Sequence, residues 1–105
     1  MFNVIGTETY SNEVSKLPKA YREVAEKLPK KLKVNPFVGD PLGYPFLREK
    51  RIKEKRIYYL IYEDLYLVLL VAVSGKKDQQ DTIDHIKEQL KEFRNEAERL
   101  SKQVF

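Results

Sequence analysis

The chain has 105 residues, 42% of them hydrophobic and 34% charged, a balance that suits one globular domain and excludes a disordered segment. It has no cysteine and a single histidine, which excludes disulfide frameworks, thiolate nucleophiles and the usual multi-histidine zinc sites. Its formal net charge of +4 is unevenly placed: residues 16–56 carry +8 and the rest −4, so one half is suited to an anionic partner.

In chain order, FNVI at 2–5 reads as a first strand, ended by Gly6. The stretch MFNVIGTETY lacks the basic-then-apolar pattern of a signal peptide, and no apolar run approaches the roughly 20 residues of a membrane span. A cytoplasmic protein without membrane contact is expected. Ser11 or Asn12 offers a cap for a first helix, because either side chain accepts an orphan amide at a helix start. Pro18 then opens a second helix, where its missing N–H costs nothing. Leu17, Tyr21, Val24, Leu28 and Leu32 recur every three or four residues and form one apolar stripe. Pro29 interrupts the stripe, so a kink or break near Leu28 is expected. Residues 35–45, NPFVGDPLGYP, hold three prolines and two glycines and read as a loop.

Three strands follow at 46–52, 56–62 and 66–73, joined by turns at 53–55 and 63–65. The last, YLVLLVAV, is apolar on both faces and is expected inside the sheet, covered on both sides. From residue 78 one long helix is expected to run to 105. Its apolar residues Ile83, Ile86, Leu90, Phe93, Ala97, Leu100 and Val104 alternate spacings of three and four, which is a heptad seam. The second half of that seam either packs on the rest of the domain or closes a homodimer or another partner contact.

Helices grouped before a hairpin-connected sheet imply an α+β fold. The expected architecture is a small, antiparallel-dominated sheet, made of the N-terminal strand plus a three-stranded meander. Two N-terminal helices and the long C-terminal helix complete a single domain over residues 1–105.

The densest charge lies in FLREKRIKEKR, residues 46–56, with six cations and two anions directly before an apolar, tyrosine-rich strand. Alternation along a strand puts Arg48 and Lys50 on one face and Arg51 on the other. It also puts Tyr58 on the face of Arg56, where it either stacks on a base or packs in the core.

The two early helices ending in Asn35-Pro36, the loop and the basic strand are followed by RIKEKRIYYLIYED (51–64) and LVLLVAVSGKKD (67–78). Together they resemble the RelE/ParE toxin superfamily of toxin–antitoxin systems over roughly residues 2–84. The first stretch is similar to the family's R-V-G-D-Y-R-V-I-Y, the second to its apolar strand ending in Gly-Lys-Arg or His-Arg. The resemblance implies one of two activities, or else a catalytically degenerate family member that is a basic RNA-binding module. RelE-type proteins bind in the ribosomal A site and cut mRNA there, without metal or cofactor. ParE-type proteins inhibit DNA gyrase and cut nothing. Both imply a cognate antitoxin protein as partner, and the first implies the ribosome and mRNA as well.

Carried over by position, Arg56 takes the place of the phosphate-stabilising arginine, and its planar fork suits that role. Lys77 takes the place of a second catalytic arginine, with Lys76 beside it. The family's basic pair falls, with a turn one residue shorter, on Arg48 and Lys50, which makes Lys50 a third catalytic candidate. Arg48, Lys76, Tyr58 and Arg51 are the expected RNA contacts. One departure is plain: where RelE-type proteins often place a tyrosine after the Lys-Arg pair, this chain has Gln80 or Ile83. His85 lies two residues past Ile83 and is either a proton-transfer group or a solvated helix residue.

Overall fold

The computed structural model describes residues 1–104. Strand β1, Asn3–Gly6, pairs in parallel with β5, Leu67–Gly75, from Asn3 opposite Leu67 to Gly6 opposite Leu70. The other neighbours are antiparallel, and the sheet order is β1-β5-β4-β3-β2. The expected sheet therefore holds, with one addition. The loop at 35–45 contains a 3₁₀ turn, Pro36–Val38, and a two-residue edge strand β2, Asp40–Pro41, paired with β3, Leu47–Ile52.

Helix α1, Glu8–Ser15, begins before either expected cap. Thr7 caps it instead, its Oγ1 accepting the Tyr10 N–H at 3.1 Å, and Glu8 supports the positive helix start. Helix α2, Lys19–Val34, follows Pro18 and runs unbroken through Pro29. The expected break does not occur because Leu28 and Leu32, on either side of the proline, are both fully buried in the same cluster. Packing holds both turns on the sheet; each such leucine contributes roughly 1.5–3 kcal/mol on burial.

Strand β4, Lys55–Tyr62, joins β3 through a two-residue turn in which Lys53 takes a left-handed conformation, φ 56°. A bulge separates Tyr58 and Tyr59: Tyr58 faces Ala72 and Tyr59 faces Leu70, leaving Val71 as the extra residue on β5.

Both sheet faces are covered. Ile57, Tyr59, Ile61, Val68 and Leu70 pack against α1 and α2. Tyr58, Leu60, Leu67, Leu69 and Val71 pack against the C-terminal helices. These are two helices and not the single helix expected over 78–105: α3, Gln79–Glu88, and α4, Leu90–Val104, meet at Gln89 with φ −112° and ψ 20°. The bend lets Ile83 and Ile86 on one half and Ala97 on the other all bury in one cluster, with Leu90, Phe93 and Leu100 packed beside it. The heptad seam is thus used within the domain as far as Leu100. Residue 105 lies outside the described residues.

No described helix is long and apolar enough to cross a membrane.

Candidate nucleic-acid interface

The short β3–β4 turn fixes which cations meet. It makes Ile52 the partner of Lys55, Arg51 of Arg56, Lys50 of Ile57 and Glu49 of Tyr58. Directly opposed residues share a sheet face. Arg51 therefore lies on the face of Arg56. Beside them, β5 ends at Gly75 opposite Lys55, and the chain continues as Lys76-Lys77-Asp78 into α3. The result is an open cleft of about 490 Å³ lined by Arg51, Lys55, Arg56, Lys76 and Lys77, with Glu54 and Asp78 as its acidic members. Five cations against two anions give it a positive charge that suits a phosphate, and the amino end of α3 adds the partial positive charge of its free amides.

Arg56 is the buried member of this group. Its side chain is 10% exposed, whereas Arg51, Lys76 and Lys77 stand in solvent. The Glu49 carboxylate lies 3.8 Å from Arg56 Nε and is 13% exposed. Gln79 Nε2 donates to both Glu49 oxygens, at 3.2 and 3.0 Å. Below them the Tyr58 and Ser74 hydroxyls are 2.7 Å apart and hydrogen bonded. Burial pushes the Tyr58 phenol up, and the bond to Ser74 partly offsets this.

Of the residues singled out in the sequence, Arg56, Lys77, Lys76 and Arg51 come together here. Lys50 does not join them; it faces the α2 side with Ile57. Arg48 is on that side as well, and its guanidinium holds the loop. Nε donates to the Pro45 carbonyl at 2.9 Å, Nη1 to those of Gly39 at 2.9 Å and Phe37 at 3.3 Å, and the group lies over the Phe37 ring. Tyr58 shares the face of Arg56 but is fully buried, so its ring packs in the core. Gln80 is exposed and bonds Asp84, Ile83 is buried, and His85 is exposed.

His85 opens onto a different cavity, of about 530 Å³. Glu8, Glu13, Asp81, Glu92 and Glu96 line it, so its sign repels a phosphate backbone. The chain thus separates its charges physically, with a cationic cleft at one end of β5 and an acidic groove along its flank.

No family model and no curated protein matches the sequence. Solved structures do match. The toxin–antitoxin complex RelBE2 from Mycobacterium tuberculosis aligns at TM-score 0.61 and 25% identity, over 71% of this chain and 91% of that one. An arginine-to-alanine mutant of the E. coli toxin RelE, in the free state, aligns at TM-score 0.70 and 16% identity, over 83% of this chain and 96% of that one. The intact E. coli RelBE complex aligns at TM-score 0.64 and 18% identity, over 71% and 96%.

The chain has a RelE-like toxin fold.

On this RelE-like frame the cationic cleft is built from the β3–β4 hairpin, the end of β5 and the start of α3. Three residues in or beside it escape sequence reading. Lys55 reads as part of a turn and is instead the first residue of β4. Glu49 reads as one of two anions diluting a basic block. Gln79 reads as an ordinary helix residue. The signal that finds them is the turn length: two residues at 53–54 place Glu49 on the Arg56 face, and the strand end at Gly75 brings Gln79 beside it.

Proposed function

We propose that this protein is a toxin of the RelE type, paired with an antitoxin, and that it cuts mRNA on the ribosome without a metal ion. The observation that carries the reading is the convergence of Arg51, Lys55, Lys76 and Lys77 around a buried Arg56 on this fold. Metal-free RNA cleavage uses the ribose 2′-OH as nucleophile on the adjacent phosphate: the O2′–P bond forms as the P–O5′ bond breaks. A base takes the hydroxyl proton, an acid protonates the departing 5′ oxygen, and negative charge builds on the phosphorane oxygens in between. Arg56 and Lys77 stabilise that charge; one well-placed donor of this kind contributes on the order of 2.7–4 kcal/mol. Lys76 and Arg51 hold the flanking phosphates. The ribosome supplies the orientation of the RNA, so the toxin needs few groups of its own. Lys50 and Arg48 face elsewhere and Tyr58 is fully buried, so all three are left out of this mechanism. The antitoxin is proposed to bring acidic side chains onto the cleft.

The test is primer extension on a reporter mRNA in a cell-free translation reaction, with and without ribosomes. Cuts that need ribosomes, fall by about a hundredfold or more in Arg56→Ala and weaken in Lys77→Ala support the reading. Intact mRNA at micromolar protein ends it. One observation favours the second reading, a ParE-like toxin that binds a protein target such as gyrase and cleaves nothing: no tyrosine or histidine lines the cleft among the described residues. Intact mRNA together with inhibited supercoiling would establish that alternative.

A further inference from the structure

Glu49 is an acidic side chain set into the most basic part of the chain, and it is nearly buried. A carboxylate in that setting has to be paired, and here it is paired twice. It faces Arg56 through Nε at 3.8 Å, and it accepts two hydrogen bonds from Gln79, the first residue of α3. Glu49 does not line the cleft, whereas Arg56 does. The carboxylate therefore lies outside the cleft that Arg56 lines. Arginine has its Nε–H on one edge and two terminal nitrogens beyond it. A partner at Nε leaves those terminal nitrogens available, and among the described residues they donate to no protein group.

We propose that Glu49, held in place by Gln79, is a positioning residue that grips Arg56 at Nε and turns its terminal nitrogens toward the scissile phosphate. The inference rests on the nuclease reading above. Its reasoning is geometric. Arg56 is a long side chain with many rotamers, and a misplacement of about 1 Å at a reacting centre costs on the order of a hundredfold in rate. Lys76 and Lys77 need no such support, because a lysine offers a point charge and not an oriented fork. Gln79 also ties the strand that carries Glu49 to the helix that follows Lys76 and Lys77, so one contact keeps both cationic groups in register.

Measuring kcat and KM separately for ribosome-dependent cleavage tests this, using wild type, Glu49→Gln, Glu49→Asp and Gln79→Leu. Glu49→Gln removes a negative charge beside the cleft, so KM is expected to hold or fall while kcat drops about tenfold to a hundredfold. Glu49→Asp keeps the charge and is expected to recover part of kcat. In an Arg56→Ala background, Glu49→Gln is expected to add no further loss, because the group it positions is gone. A glutamate that only supports folding gives the opposite pattern: a lowered Tm, unchanged kcat where the protein is folded, and losses that add. Should Glu49→Gln fail to fold, Gln79→Leu decides by the same kcat and additivity criteria. Wild type that cuts while the folded variants cut equally well overturns this inference alone. Wild type that cuts nothing overturns the nuclease reading along with it.

Discussion

Arg51 and Arg56 are direct partners across the β3–β4 hairpin, two like charges one rung from the turn. Such pairs destabilise a sheet by a few tenths of a kcal/mol to about 1 kcal/mol. Arg51→Thr is expected to raise stability by about 0.5 kcal/mol in urea denaturation and to weaken RNA binding. A variant that loses stability would show that Arg51, through its hydrogen bond to the Lys53 carbonyl at 3.2 Å, supports the turn more than it strains it.

The cleft lysines differ from those on α2 in what they should do to salt dependence. Each phosphate contact to single-stranded RNA adds about 0.7 to the slope of log affinity against log salt. Lys76→Ala and Lys77→Ala are each expected to lower the slope by about that amount. Lys19→Ala removes an exposed lysine that lies 4.0 Å from Glu23 on α2, and it is expected to leave the slope unchanged. Filter binding at several salt concentrations measures all three, and equal slopes throughout would mean that the cleft does not contact the backbone.

The loop that carries β2 hangs on one phenol. Tyr59 donates its hydroxyl proton to the Pro36 carbonyl at 2.7 Å and accepts the Gly39 N–H at 3.0 Å, with the ring fully buried. A side chain at Gly39 has no room there, since a Cβ would sit 2.5 Å from the Glu49 carbonyl oxygen. Tyr59→Phe leaves both backbone groups unpaired and is expected to cost about 1–3 kcal/mol. Tyr58→Phe removes only the bond to Ser74 and is expected to cost about 1 kcal/mol. Urea midpoints rank the two, and the reverse order would show the loop to be held by Arg48 alone.

Stability should fall steeply in alkali. Burial pushes the Tyr10 and Tyr62 phenols up to about 12 from an ordinary value of 10.0. Between those values the unfolded chain gives up phenolic protons that the folded chain keeps. The unfolded state then gains relative to the folded one as pH rises. The contribution is intact below pH 10 and is lost between about 10 and 12, at up to about 3 kcal/mol per tyrosine. Tm measured against pH, with Tyr10→Phe as a control that flattens the decline, checks this. A decline of equal slope in the variant would assign the loss to other groups.

The sequence by itself determined much of this molecule. The apolar run at 67–73, the stripe through Leu28 and Leu32 and the heptad spacing after Ile83 each have to be buried, and burying them together yields a sheet covered on both faces. The sequence also determined that a dense cationic block adjoins that sheet. It did not determine which cations would meet. Side chains alternate along a strand, so a shift of one residue in pairing moves every one of them to the other face. The two-residue turn at Lys53 and Glu54 put Glu49 and Arg51 with Arg56, and sent Lys50 away from it. Gln79 reached Glu49 across 30 positions of chain only because β5 ends where it does. Hydrophobic burial is set by residue type and spacing, which a sequence displays. Convergence of charges depends on register, turn length and where strands stop, and these exist only once the chain is folded.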